Sequence, residues 1–325
     1  MRRALGVQKD ALAPASVDAN AATDSAGRTH HRRYGRLLDA DDRQRGRSRS
    51  VYLCARRAAR PCLGSMGSFG GETAENYARY RRRYPDAIVD AIADLLRLDS
   101  GDVVIDLGCG TGLLTRPFAR RVGMVLGVDP EADMLAVARR TTDEEVSPKL
   151  VWVLGSDADL PTIGKLVGDQ AVGAVTVGQA LHFMDYEKLF CHARPLLRVG
   201  GGIAVIANGT PLWQQASEWS RALRRALEEW FDTPMTAMCG TDRETQVRYA
   251  QALAATGYEV REVSQVNQDE LSLEQVLGGV YSALSPDDLP AGSHEAFAEH
   301  VAGSLPTTTA FTEVVPVTAL VGIAR

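Results

Sequence analysis

The sequence predicts an α/β fold built on a mostly parallel sheet, and three observations carry that prediction. Val103-Val104-Ile105-Asp106-Leu107-Gly108-Cys109-Gly110-Thr111-Gly112 reads as a buried strand that breaks into a glycine loop at the mouth of a helix. Short Val-, Ile- and Leu-rich runs then alternate with helical patterns, as expected of strands covered on both faces. A chain of 325 residues, 45% of them hydrophobic, is also long enough to bury a substantial core.

Residues 1–65 hold 13 arginines and one lysine against six aspartates. With no sustained apolar period, they are expected to form a disordered basic leader, and Met66 is a second candidate start of translation. The chain's net charge of −5 leaves the remainder acidic, which disfavours nucleic acid as a partner. No secretory apolar segment or bilayer-spanning run occurs, which points to the cytoplasm and away from membranes.

An N-terminal helical segment is expected over 66–98. It carries the aromatic, basic stretch at 72–84, then Pro85 and a helix at 87–98 with Ile88, Ile92, Leu95 and Leu96 at helical spacing. The main domain is expected over 99–325, with strands at 103–107, 124–128, 150–154, 172–177 and 203–207 and helices at 113–122 and 186–197. Asp129 closes the second strand, Ser156-Asp157-Ala158 follows the third, and the fourth runs into Gly178-Gln179-Ala180-Leu181-His182-Phe183-Met184-Asp185. A helical insertion is expected at about 212–256. Its first helix, 212–231, carries Trp213, Trp219, Trp230 and Phe231, either as core or as the wall of a substrate pocket. A sixth strand at 258–266, a second insertion at 271–305 with helices at 273–284 and 293–305, and a last strand at 312–323 complete the chain.

The glycine loop narrows the ligand. Gly108, Gly110 and Gly112 give G-x-G-x-G, with Leu113 where a dinucleotide fingerprint has its third glycine. Asp106 would repel a pyrophosphate but welcome a cationic amino acid tail. Residues 106–112 resemble the first motif of the class I S-adenosylmethionine-dependent methyltransferases at every position. That resemblance implies a Rossmann-like seven-stranded sheet with its last strand antiparallel beside the fifth, S-adenosylmethionine as cofactor and S-adenosylhomocysteine as product. It implies that Asp106, Gly108, Gly110 and Gly112 face the methionine part, that Asp129 takes both ribose hydroxyls, and that Asp157 and Ala158 meet the adenine edge. Asp129 before Pro130 also suits a helix N-cap, and Asp157 a turn cap. Cys109 reads as a small apolar filler.

The stretch at 72–84 looks like the Y-x-x-Y-R-x-x-Y-P segment of the family's small-molecule branch, although Arg82 stands where a proline is often found. By that resemblance Tyr77, Tyr80 and Arg81 form a lid, with Arg81 near the cofactor's carboxylate; a solvated basic helix is the other reading. Residues 180–185 match that branch's A-L-H-W/F-x-D pattern and place Gln179 beside the cofactor. His182 can act as a base or as a structural histidine, with Tyr77 or Asp185 assisting. No His, Asp and Glu cluster has metal-ligand spacing, so no metal is expected. Acidic residues at Glu218, Glu228, Glu229, Asp232, Asp269, Glu270 and Glu274 suggest a cationic small molecule as substrate. The pattern resembles aminoglycoside N-methyltransferases of antibiotic biosynthesis. An O- or C-methyltransferase of a small acid, quinone precursor or polyketide is the alternative, and a non-catalytic cofactor-binding module a second; a homodimer stays open.

Overall fold

In the computed structural model, residues 69–285, 288–289 and 292–325 are described. The leader and the second start at Met66 lie outside them. Two helices come first, α1 (Glu72–Tyr80) and α2 (Asp86–Leu95). The helical pattern at 72–84 ends early because Arg81 is extended, with ψ 142°, and Pro85 forms the N-cap of α2. The parallel half of the sheet then alternates β1 (Val103–Leu107), α3 (Thr115–Ala119), β2 (Met124–Asp129), α4 (Ala132–Arg140), β3 (Leu150–Leu154), α5 (Leu160–Val167), β4 (Val172–Gly178), α6 (Tyr186–Ala193) and β5 (Leu197–Asn208). Helix α3 is shorter than the expected 113–122. Gly110 and Gly112 carry positive φ of 53° and 80°, which the right-handed helix excludes, so the loop extends to its first residues.

The chain continues through α7 (Glu218–Phe231), α8 (Arg243–Ala255), β6 (Glu259–Leu271), α9 (Leu273–Tyr281), α10 (His294–Ser304) and β7 (Phe311–Ile323). The expected helix at 212–231 divides into a 3-10 turn at Leu212–Gln214 and α7 proper. The division falls at Ser217, whose hydroxyl accepts the Ser220 amide at 3.3 Å and so caps a new helix start.

The seven strands pair in the order β3-β2-β1-β4-β5-β7-β6. Strands β1 to β5 are parallel, and β7 lies antiparallel between β5 and β6, with Ile206 opposite Ala319. This is a Rossmann-like sheet with one antiparallel strand. Strand order reverses between β1 and β4, so the crevice at their carboxyl ends is where such a sheet binds ligands.

Two apolar layers cover the sheet. Ile88 and Ile92 of α2 with Phe118 of α3 fill one face, and Leu160 of α5, Phe190 of α6 and Leu253 of α8 fill the other. A third core joins the insertions: Trp219, Leu223 and Leu227 of α7 pack with Val276 of α9 and Phe297 and Val301 of α10. Among the described residues no helix is long and apolar enough to cross a membrane.

One buried ion pair ties these parts together. Glu313 is 1% exposed on the inward face of β7, where it pairs with the Arg82 guanidinium and accepts from Gln215 Nε2 at 2.6 Å. Arg82 also donates to the carbonyls of Asn208 at 3.0 Å and Thr210 at 3.4 Å. Removing one partner of such a pair strands a buried charge. Arg82→Met is therefore expected to lower the unfolding free energy by about 3–5 kcal/mol, and Glu313→Gln by clearly less, as measured by urea denaturation.

Candidate active site

A cavity of about 410 Å³ opens at the carboxyl ends of the parallel strands. The loop after β1 forms its floor. Gly110 has φ 53°, a backbone conformation that strains any other residue, and it lies beside the Tyr77 ring, to which an added Cβ would make ordinary contact at 3.7 Å. The Gly110 amide donates to Asp129 Oδ2 at 2.7 Å, and the Glu131 amide donates to Oδ1 at 2.9 Å. Each carboxylate oxygen thus accepts one backbone N–H and keeps a further lone pair for a ligand. Burial raises the Asp129 pKa, and the two amides work against that rise.

Helix α1 covers the cavity. Tyr77, Tyr80 and Arg81 all line it, and the Arg81 guanidinium lies 5.2 Å from the centre of the Tyr77 ring. Arg81 Nε donates to Ser282 Oγ at 2.8 Å, and Arg79 and the Tyr80 hydroxyl both bond Glu274 of α9, at 2.7 and 2.8 Å. These contacts close α1 against the second insertion. Desolvation raises the Tyr77 pKa and lowers that of Arg81.

At the end of β4, Gln179 and His182 face the same space. Gln179 has φ 55° and donates through Nε2 to the carbonyls of Asn208 and Gly209, at 3.2 and 3.1 Å, which pins the chain where β4 turns away. The His182 ring lies against Phe183, with centroids 3.9 Å apart and planes tilted by 42°. Burial first, and then the nearby Arg81 charge, push its pKa down to about 4, so the imidazole is neutral at neutral pH.

Of the residues expected from sequence, Tyr77, Arg81, Gly108, Gly110, Asp129, Asp157, Gln179 and His182 line this one cavity. Four others do not. Asp106 is 1% exposed, and its carboxylate accepts from the hydroxyls of Thr115 at 2.6 Å and Thr176 at 2.8 Å, so it braces the loop from inside. Gly112 makes room for Trp152, whose ring would stand 2.5 Å from an added Cβ. Ala158 is exposed in a short 3-10 turn. Asp185 is exposed, accepts the Lys188 amide at 3.3 Å as the N-cap of α6 and pairs with the Lys188 ammonium at 2.7 Å, so the helix start claims its carboxylate.

Sequence reasoning missed Phe69, Met134, Leu212, Gln275, Ala283 and Glu313, which also line the cavity. Only Glu313 left a trace: it interrupts the period-2 series of inward residues Phe311, Val315 and Val317, and an acid on such a face needs a buried partner.

Residues 104–201 match the family described as Methyltransferase domain. The chain is 33% identical over 141 residues to an uncharacterized methyltransferase of Mycobacterium tuberculosis, covering 43% of this chain and 52% of that protein. It is likewise 33% identical over 141 residues to 2-phytyl-1,4-naphtoquinone methyltransferase of Thermosynechococcus vestitus, covering 42% of this chain and 58% of that protein. The matched stretch spans about half the length of these curated relatives. Among solved structures, precorrin 8W decarboxylase of Methanobacterium thermoautotrophicum aligns with a TM-score of 0.46 at 14% identity, over 76% of this chain and 95% of that one. Geranyl diphosphate C-methyltransferase of Streptomyces coelicolor aligns with a TM-score of 0.39 at 21% identity, over 74% and 77%.

Residues 104–201 therefore match a methyltransferase domain, and the cofactor such a domain implies is S-adenosylmethionine. The residues present fit that group. A carboxylate with spare lone pairs closes β2, apolar Pro130 and Met134 stand beside it, and Arg81 supplies a cation. In the glycine loop, the Thr111 hydroxyl is buried with no partner among the described residues. Among those residues no group of three or more His, Cys, Asp or Glu is gathered as for a metal ion.

The pKa of Asp106 is raised to about 6, chiefly by burial. A carboxyl raised in the folded state contributes stability that is complete below its unfolded pKa and is lost as pH rises through about 6. Asp106→Asn is expected to gain on the wild type by up to about 3 kcal/mol between roughly pH 4 and 7. Urea unfolding of both proteins across that range checks it.

Proposed function

We propose that this protein methylates an oxygen or carbon nucleophile on a small, largely apolar molecule. The observation that carries this reading is the apolar share of the cavity wall. Leu212, Trp213, Leu271 and Ala283 line it together with Arg81 and His182. A flat, apolar body is desolvated at low cost there, with one polar end toward the imidazole.

The expectation of a cationic aminoglycoside rested on acidic residues in the insertions, and none of them lines the cavity. Glu228 Oε1 accepts the Met235 amide at 3.0 Å, Glu270 bonds the Thr312 hydroxyl at 2.7 Å, and Glu274 pairs with Arg79 at 2.7 Å. Their charge is spent on local contacts, so a phenol, enol or quinol fits better than an amino sugar. The 2-phytyl-1,4-naphtoquinone methyltransferase, by its name, acts on a quinone, which supports the same substrate class here.

When bound, S-adenosylmethionine supplies a methyl group on a sulfonium, which becomes a neutral thioether once the methyl has left. Asp129 would hold the ribose hydroxyls on its free lone pairs, Asp157 the adenine edge and Arg81 the carboxylate of the bound cofactor. His182, neutral at working pH, accepts the proton that the nucleophile gives up as its new bond to carbon forms. The apolar wall and the α1 cover keep water from competing for the methyl group. Tyr77 lines the cavity, and desolvation raises its pKa, which leaves its hydroxyl as a hydrogen-bond donor for a bound ligand.

Asp129→Ala is expected to weaken S-adenosylmethionine binding by about 10- to 100-fold, since each hydrogen bond to a charged group contributes about 1.5–3 kcal/mol. Calorimetric titration beside a thermal melt separates that loss from unfolding, and an unchanged Kd would remove Asp129 from the site. For the substrate, turnover is measured on a panel of phenols, quinols, β-dicarbonyl acids and amino sugars. Methylation on oxygen or carbon of the apolar compounds is expected; turnover confined to amino sugars would overturn the reading.

A further inference from the structure

A second, much smaller cavity of about 10 Å³ adjoins the first. His182, Gln179 and Cys239 line both, so the imidazole stands at the boundary between them. The far side of the small cavity is formed by Gln246 and Tyr249 of α8 and by Gly240, just ahead of that helix.

Gln246 is 7% exposed, and its amide is oriented by a specific contact. Nε2 donates to the Gly240 carbonyl at 2.6 Å, which fixes which end of the amide is the donor. Its Oε1 is buried, with no donor to it among the described residues. A buried acceptor left without a donor costs about 1–3 kcal/mol, so the acceptor needs a partner in the space beside it. That space is about the size of one water molecule, which needs two to four polar neighbours. Gln246 Oε1, the Tyr249 hydroxyl, the His182 ring and the Gln179 amide, whose Nε2 already donates to the Asn208 and Gly209 carbonyls, are the polar side-chain groups that line it, the Tyr249 hydroxyl lying against Gly240, where an added Cβ would meet it at 3.0 Å.

We propose that Gln246 is a positioning residue for His182: its Oε1 holds a single buried water that bonds the ring nitrogen turned away from the substrate. The water donates one proton to Oε1 and accepts the N–H of that nitrogen. The imidazole is thereby kept in one tautomer, with the bare nitrogen toward the main cavity, as a base requires. The inference rests on the proposed role of His182 in methyl transfer, but the tautomer can be read without turnover.

The test uses the full chain, labelled with ¹⁵N-histidine, and assigns the His182 signal by its loss in His182→Gln. In the wild type near neutral pH the two ring nitrogens are expected to report a single tautomer; a mixture would overturn the proposal without any further variant. In Gln246→Leu the signal is expected to move to a mixture of both tautomers. The kcat on the best substrate should fall by about 10-fold or more, with the KM for S-adenosylmethionine within about twofold of wild type. A single tautomer unchanged in Gln246→Leu would overturn the proposal even if kcat fell, because the loss would then be structural. A wild type inactive on every substrate would count against the function proposed above, and the tautomer measurement would still decide the role of Gln246.

Discussion

The bond from the Gly110 amide to the Asp129 carboxylate, 2.7 Å long, is the constraint on which the site depends. It joins the loop after β1 to the end of β2, two neighbouring strands whose register runs from Val103 opposite Met124 to Leu107 opposite Val128. The loop reaches Asp129 only because Gly110 adopts a positive φ. Asp106, held by Thr115 and Thr176, stiffens the same loop from below and ties it to α3 and β4. Two carboxylates on neighbouring strands, Asp106 opposite Gly127 and Asp129 two residues further along β2, thus serve opposite ends: one is committed to the fold, the other keeps lone pairs toward the cavity.

Around this rigid floor, the cover is assembled from distant parts of the chain. Arg82, Asn208, Gln215 and Glu313 meet in one buried cluster, and Thr73, Arg79, Tyr80 and Arg81 bond residues 274–284. Part of this contact is exposed: in the Arg79–Glu274 pair the side chains are 69% and 64% accessible, so it adds little stability. The Arg82–Glu313 pair lies deeper and sets how the first helix sits on β7. Covering the cavity and stabilising the fold are thereby assigned to different ion pairs.

The strands were legible because their signal is local. Runs such as Val103–Leu107 and Leu150–Leu154 needed only β-branched and apolar composition between breaks, and the structure keeps those bounds. Helix ends were less legible. Ser217 as an N-cap, the extended Arg81 and the glycine turns before Thr115 each depend on backbone geometry that periodicity does not record. Strand β6 extends to Leu271, five residues past the expected end, because its polar second half is held by pairing with β7 and not by burial.

The motif residues on β1, β2 and β4 were readable for the same local reason: a strand end that meets a glycine or an acid declares itself in a few residues. Sequence alone determined the α/β alternation, the glycine loop and the acid at the end of β2. Which way each carboxylate turns was decided by the tertiary structure, since Thr176 lies 70 residues from Asp106 and Glu313 lies 231 from Arg82. The character of the cavity wall was decided there too, because Leu212, Leu271 and Ala283 belong to separate segments that the packed chain brings to one cavity. Burial and pairing between distant residues are properties of the packed chain, and no local pattern encodes them.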